Sequence, residues 1–392
     1  MGWPEVLSWV GGGTGLTLGL LEVLYRRQPG NSTLTLSRGT WQRLVQLPQH
    51  CRWQGRLEFH NPSGRLEVMV PQVWAEVQLL SRGSVAEIET HLTVTPQHSD
   101  APARADGYWF AYILKRRHRT RLQVTLDIKG RSLADLQVAW VQIHYIAYGP
   151  GGRQQRSQHV VLPLTYPEPD PHPQPRTTAV AQCFPVRTHL LCHLDDPAEV
   201  VRRYVLPMAQ PGDIITLGET PVAIMQGRWL FPGNLEPGWL ARRLCYGFTP
   251  TSSLATACGL QTLINSVGPG RVLFAFLVGV LGKLVGIRGL FYRLAGAQAA
   301  LIDDVTGTLP PYDQFIVLGP ADPQGVVDHI RAETGLEAAI VDVNDLKAVK
   351  IVAATSGIAP PLLIQALRDN PAGNADEQTP LVLIRPRTPG HP

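Results

Sequence analysis

Two short stretches late in the chain gather oxygen-bearing side chains of the kind that hold a cation. Leu301-Ile302-Asp303-Asp304-Val305-Thr306-Gly307 places paired carboxylates after an apolar run, and Val341-Asp342-Val343-Asn344-Asp345-Leu346-Lys347 does so after a predicted strand. Alternation along an extended segment puts Asp342 and Asn344 on one face. Such oxygens suit Mg²⁺ or Mn²⁺ carrying nucleotide phosphates, so Asp303, Asp304, Asp342 and Asp345 are the candidate metal ligands. Aspartate is also a favoured cap and turn residue, and a structural reading of both stretches stays open. Upstream, Gln210-Pro211-Gly212-Asp213-Ile214-Ile215 turns into a strand, and Glu219-Thr220-Pro221-Val222-Ala223-Ile224-Met225-Gln226-Gly227-Arg228 follows it. The glycine turn frees backbone N–H groups, and Arg228 offers a planar fork matched to phosphate or carboxylate. Cys51, Cys183, Cys192, Cys245 and Cys258 are odd in number, form no CxxC pair and fit a reducing compartment as buried, inert thiols.

The elements around these residues divide the chain. With 392 residues, 44% of them hydrophobic, it is long enough for two cores. The 35 basic and 31 acidic residues are dispersed, which gives no reason to expect nucleic acid. Residues 31–165 alternate apolar and polar positions in short runs separated by turns such as Asn61-Pro62-Ser63-Gly64 and Gly149-Pro150-Gly151-Gly152. That pattern predicts an antiparallel β-sandwich. Lys115-Arg116-Arg117-His118-Arg119 falls where a hairpin tip would be, as a solvated turn or a contact for anionic headgroups. Proline alternates with polar residues over 166–176, the signature of an extended spacer. Beyond it, helical periodicity at 197–204 and near 240, 255 and 326 mixes with apolar strands at 214–217, 315–318 and 339–341, so 177–392 reads as a mixed α/β domain.

Residues 1–27 are expected to form a transmembrane anchor. No charge interrupts 6–21, the run continues past Glu22, and Gly11, Gly15 and Gly19 share one helical face that lets two such helices approach as a homo-oligomer. Arg26 and Arg27 after the segment place the following domains on the cytoplasmic side. A frayed or buried terminal helix is the competing reading. The apolar stretch 272–285 is too short to span a bilayer comfortably and reads as a core helix or as one lying in a membrane interface. The whole chain is thus expected to be α+β multidomain.

The Gly212-Asp213 turn entering a strand, the loop ending in Gly227-Arg228, the acidic stretches at 303 and 342 and the closing strand 381–385 together resemble the coenzyme F420-0:gamma-glutamyl ligase family. The likeness spans about 180–387. The resemblance implies a nucleotide- and metal-dependent amide ligase: GTP phosphorylates a carboxylate substrate, and the amine of glutamate attacks the acyl phosphate. It assigns Gly212, Asp213, Gly227 and Arg228 to nucleotide, Arg228 also to catalysis, and Asp303, Asp304, Asp342 and Asp345 to Mg or Mn. The family's loop usually carries lysine where this chain has Glu219 and Met225, which supports an alternative, a membrane-tethered scaffold that keeps the ligase fold without its chemistry. Leu57-Glu58-Phe59-His60-Asn61-Pro62 looks weakly like the late-embryogenesis-abundant type of immunoglobulin-like sandwich.

Overall fold

The computed structural model describes residues 33–170, 173–287, 289–304, 309–343, 347–373 and 377–387. The expected anchor at 1–27 lies outside them. Among the described residues no single helix is long and apolar enough to cross a membrane.

Two five-stranded antiparallel sheets make up the sandwich-like N-terminal part. One has the order Thr35–Leu36, His50–His60, Arg119–Lys129, Glu89–Gln97, with Thr40–Leu47 also paired to His50–His60. The other runs Gly152–Pro163, Leu136–Gly149, Val68–Val70, Tyr112–Leu114, with Val73–Ser81 on Leu136–Gly149. Period-two alternation sets the inner face. In Arg119–Lys129 the side chains of Leu122, Val124, Leu126 and Ile128 are fully buried, while the positions between them are partly or fully exposed. Each such burial contributes on the order of 2 kcal/mol.

Strand His50–His60 begins well before the run at 57–59 that its sequence advertises, because Gly55 interrupts the apolar alternation. The gap is filled from the neighbouring strand. A Cβ at Gly55 would stand 2.5 Å from the Trp41 ring, so glycine is what lets Trp41 lie flat against the sheet. The basic run 115–119 also departs from expectation. It joins Tyr112–Leu114 to Arg119–Lys129, which belong to different sheets, so it is a crossing loop and not a hairpin tip. Asn61, fully buried, holds that loop: its Nδ2 donates to the carbonyls of Leu66, Leu114 and Lys115, and its backbone N–H donates to that of His118.

By density of contacts the chain divides into two compact units. One takes the described residues up to Glu76 with Glu89–Lys129 and Gln142–Gln158, and the other takes Val77–Ile88, Gly130–Val141 and the chain from His159 onward. Within the second unit, Val138, Trp140 and Val161 share a core with Trp229, Tyr312 and Phe315. Tyr166, at the start of the expected spacer, lies 4.4 Å from the His189 ring and under the Arg203 guanidinium.

The second unit is organised by a six-stranded sheet ordered Arg176–Thr177, Ala181–Val186, Leu381–Pro386, Ile214–Gly218, Glu337–Val343, Val349–Ala354. Ile214–Gly218 and Glu337–Val343 run parallel, and their other pairings are antiparallel. One face carries Ile215, Leu217, Ala338 and Ile340 against helices Pro197–Tyr204 and Pro323–Thr334. The opposite face carries Ile214, Ala339, Val341 and Val382 against helix Pro360–Leu367. Helix Pro197–Tyr204 starts where its sequence says it must. Asp196 accepts from the N–H groups of Ala198 and Glu199, and Pro197 occupies the first turn, where a missing N–H costs nothing. Between the two parallel strands the chain forms a helical layer around Leu260, Leu263, Val272 and Phe291, and a small sheet of Trp229–Leu230, Ile316–Val317 and Asp303–Asp304.

Candidate functional site

The parallel pair of strands delivers two acids to one edge of the large sheet. Strand Ile214–Gly218 ends at Gly218, level with Val341, and the next residue on each chain is acidic: Glu219 opens helix Glu219–Met225 and Asp342 continues its strand. Alternation places both on the Leu217 and Ile340 side of the sheet. The third acid arrives from the small sheet, where Asp303 pairs across from Val317. Its Oδ2 accepts from Thr220 Oγ1 at 3.0 Å, which ties it to the start of the same helix.

Electrostatics make this an uneasy group. Glu219 is only 8% exposed, and among the described residues its Oε2 has no hydrogen-bond partner. Burial, then the Asp342 charge and more weakly Asp303, push its carboxyl up to about 8, against an opposing pull from Lys350. Lys350 stands directly across from Asp342 in the antiparallel pairing and is exposed. Asp303 is also raised, by burial first and by Asp342, with the Thr220 hydroxyl pulling the other way. Near neutral pH Glu219 therefore holds a proton.

Against the face of the sheet that carries Thr216, Val341 and Val382 opens a pocket of about 580 Å³, the size of a site for a small metabolite or nucleotide; Thr220, bonded to Asp303, lines it, while Glu219, Asp303 and Asp342 do not. Thr216, Gly218 and Thr220 line it from one strand end, Val341 and Val343 from the next, and Leu190, Tyr312 and Pro380 from surrounding loops. One wall is braced by His189. Its ring contacts Tyr204 Oη at 2.8 Å through Nδ1 and Asp195 Oδ1 at 3.0 Å through Nε2, while Asp195 Oδ2 accepts the Cys192 N–H at 2.7 Å. Both ring nitrogens are engaged, so this network positions the wall. The cysteines are free, and burial pushes the thiols of Cys51, Cys183 (to about 11) and Cys192 upward, away from nucleophilic use.

The residues singled out from the sequence fall in different places. Asp303 and Asp342 come together, joined by Glu219. The side chain of Asp304 and all of Asn344 and Asp345 lie outside the described residues. Gly212, at φ +90°, makes the turn before strand Ile214–Gly218, at the end opposite Glu219. Asp213 there receives a two-pronged pair from Arg385, at 2.9 and 2.8 Å, and the N–H of Gln210. Gly227, at φ +67°, ends the helix, and Arg228 donates from Nε to the Gly319 carbonyl at 2.6 Å and from Nη2 to Gln298. Its guanidinium therefore staples a loop. Sequence reasoning treated Glu219 as a departure from the lysine usual at that place and missed Thr220 and Lys350. A lone acid between an apolar strand and an apolar helix was the available signal.

No curated protein matches the chain. Among solved structures it is similar to the GAE domain of GGA2p from Saccharomyces cerevisiae, with 10% identity over 35% of this chain and 96% of that one and a TM-score of 0.20. It is also similar to a yeast GGA1 GAE domain, with 14% identity over 35% and 96% and a TM-score of 0.19. A family 123 glycoside hydrolase from Clostridium perfringens matches with 10% identity over 34% of this chain and 28% of that one, at a TM-score of 0.19. Likenesses this slight say nothing further about the chain. One family matches part of it, over residues 35–166: the F420-0:gamma-glutamyl ligase, N-terminal Ig-like domain. The match is to that Ig-like domain alone and spans about a third of the chain.

Proposed function

We propose that the region 177–392 is a divergent amide ligase domain, working beside the Ig-like domain at 31–165 and the spacer at 166–176, with the pocket as its substrate site. The observation that carries this reading is the buried, partnerless Glu219 oxygen near Asp303 and Asp342, linked to the pocket through Thr220, which lines it and bonds Asp303. A hard divalent cation fits that donor chemistry. Among the described residues no three His, Cys, Asp or Glu side chains form a metal-holding group on their own. Mg²⁺ commonly takes one or two carboxylates and completes its shell with water and substrate phosphate. Asp303 and Asp342 would hold it, and when bound it would neutralise phosphoryl oxygens of GTP or another nucleotide.

The residues of the chain do the rest. Thr220 holds Asp303 in place by its hydroxyl. Glu219, protonated when alone, would lose its proton if a cation bound near it, so binding should release a proton. The pocket would hold the carboxylate substrate near the phosphoryl donor and shield the activated acyl group from water until the amine of glutamate attacks the carbonyl carbon and phosphate departs. The expected anchor at 1–27 would keep the site on the cytoplasmic side of a membrane.

A second reading rests on Arg228 and Asp213, both committed to internal bonds. It makes the chain a membrane-tethered scaffold on a ligase-like frame. Calorimetry of the full chain with GTP and with ATP, each with and without Mn²⁺, separates the two when run at pH 7 in buffers of different ionisation heat. A heat that needs both nucleotide and metal, with proton release, is the ligase outcome. No heat under any condition leaves the scaffold.

A further inference from the structure

Helix Pro269–Leu284 has two apolar faces and only one of them is packed. Val272, Ala275 and Gly282 turn inward, where a Cβ on Gly279 or Gly282 would meet Phe291 or Leu290 of helix Leu290–Ala295. About 180° around the helix, Leu273, Phe274, Leu277, Val280, Leu281 and Leu284 face outward, with Leu281 63% and Leu284 78% exposed. The patch continues into Val285 and Ile287. An unbroken apolar face of this length on a water-facing helix marks an interaction surface.

The charge around it selects the partner. Between Glu236 and Asp303 the sequence contains no acidic residue, yet it contains Arg242, Arg243, Arg271, Lys283, Arg288 and Arg293. The segment also exposes Trp239 and Tyr246, aromatic side chains that favour the boundary between water and lipid. A second copy meeting this face through a two-fold axis would set cations against cations with no carboxylate from the segment to offset them. A membrane-crossing hairpin fits less well. The neighbouring helix Ala257–Val267 is bent 116° from this one and commits Leu260, Leu263 and Ile264 to the core.

We propose that the outward face of helix Pro269–Leu284 lies in the interface of a membrane bearing anionic headgroups, apolar side chains in the acyl boundary and cations at the phosphates. The inference stands apart from the ligase reading, since none of these residues lines the pocket.

The full chain mixed with phosphatidylglycerol-containing vesicles that carry a diazirine in the lipid acyl chain tests this. Photolysis should place adducts within residues 273–287, with yields roughly tenfold lower on phosphatidylcholine vesicles and on the variant L277E/L281E. Both positions are exposed, so the fold should survive. If that variant unfolds, K283E is the replacement, and it should lower the yield on anionic vesicles alone. Adducts confined to 1–27, equal yields on neutral lipid, or protein–protein cross-links through 273–287 would each overturn the proposal.

Discussion

The strand Ile214–Gly218 has a buried acid at each end, and the two are treated in opposite ways. Asp213, before the strand, is 3% exposed and receives both prongs of the Arg385 guanidinium and a backbone N–H. Glu219, after it, is buried almost as deeply, and its near charged neighbours are chiefly other acids. Folding selects for the first arrangement, because a buried charge with a complete set of partners costs little. The second is a standing cost to the fold, and the next residue, Thr220, lines the pocket. Asp213, which the resemblance assigns to nucleotide, is held by structural bonds, and the unsatisfied Glu219, which the sequence did not single out, is the stronger candidate for a site residue.

The largest expected effect comes from breaking the satisfied end. Asp213→Ala strips Arg385 of its partner and leaves the Gln210 N–H without its acceptor, which should cost about 4 kcal/mol of stability. Urea denaturation at pH 7 measures it. A loss below about 1 kcal/mol, the range of exposed pairs, would mean that water replaces Asp213 readily and that the two ends differ less than their geometry suggests.

The unsatisfied end should behave with the opposite sign. Glu219 titrates near its ordinary 4.5 in the unfolded chain and near 8 in the folded one. Between those values the unfolded chain binds fewer protons, so stability falls as pH rises from about 4.5 to about 8 and then levels. Glu219→Gln removes this penalty. It should leave stability unchanged at pH 4 and raise it at pH 9 by on the order of 5 kcal/mol. Denaturant midpoints of the two proteins across pH check this, and parallel curves would show that Glu219 is ionised in the fold at neutral pH.

How much of this was legible in the sequence follows from the same residues. The mixed α/β character, helix Pro197–Tyr204 and the strands around Ile214, Ala339 and Leu381 announce themselves through local pattern and capping. Strand Thr40–Leu47 does not, because it is largely exposed and polar, and its Trp41 finds its place only against Gly55 of the next strand. Asp303 and Asp342 stood out as acids beside apolar elements. Glu219 did not, since its burial and raised proton affinity arise from residues distant in sequence that a parallel pairing and a small second sheet bring to it. Arg228 suggested phosphate by its chemistry, and only the carbonyl of Gly319 shows where its Nε is directed. Local pattern reveals which residues could do chemistry, and long-range packing decides which are left partly unsatisfied.

Lys350 offers the finest test of the contrast, because it is the cation that the unsatisfied end does have. It stands across from Asp342 on the exposed edge strand Val349–Ala354 and pulls the Glu219 carboxyl downward without reaching it as a bonded partner. An exposed ammonium acts through solvent, so its contribution should be small, on the order of 0.5 kcal/mol. Lys350→Met should therefore move the upper end of the stability decline above pH 8 by a fraction of a unit and leave its lower end near 4.5, which the unfolded chain sets. The same substitution in Glu219→Gln should produce no such movement, because the group that senses the charge is gone. A double-mutant cycle over pH 6 to pH 10 isolates the coupling. If Lys350→Met instead shifted the decline by several units, Lys350 would be a true partner of Glu219, and the two ends of the strand would be variants of one arrangement. If it shifted nothing in either background, burial and the neighbouring aspartates alone would keep Glu219 protonated, and a cation entering the site would meet the full negative field of Asp303 and Asp342.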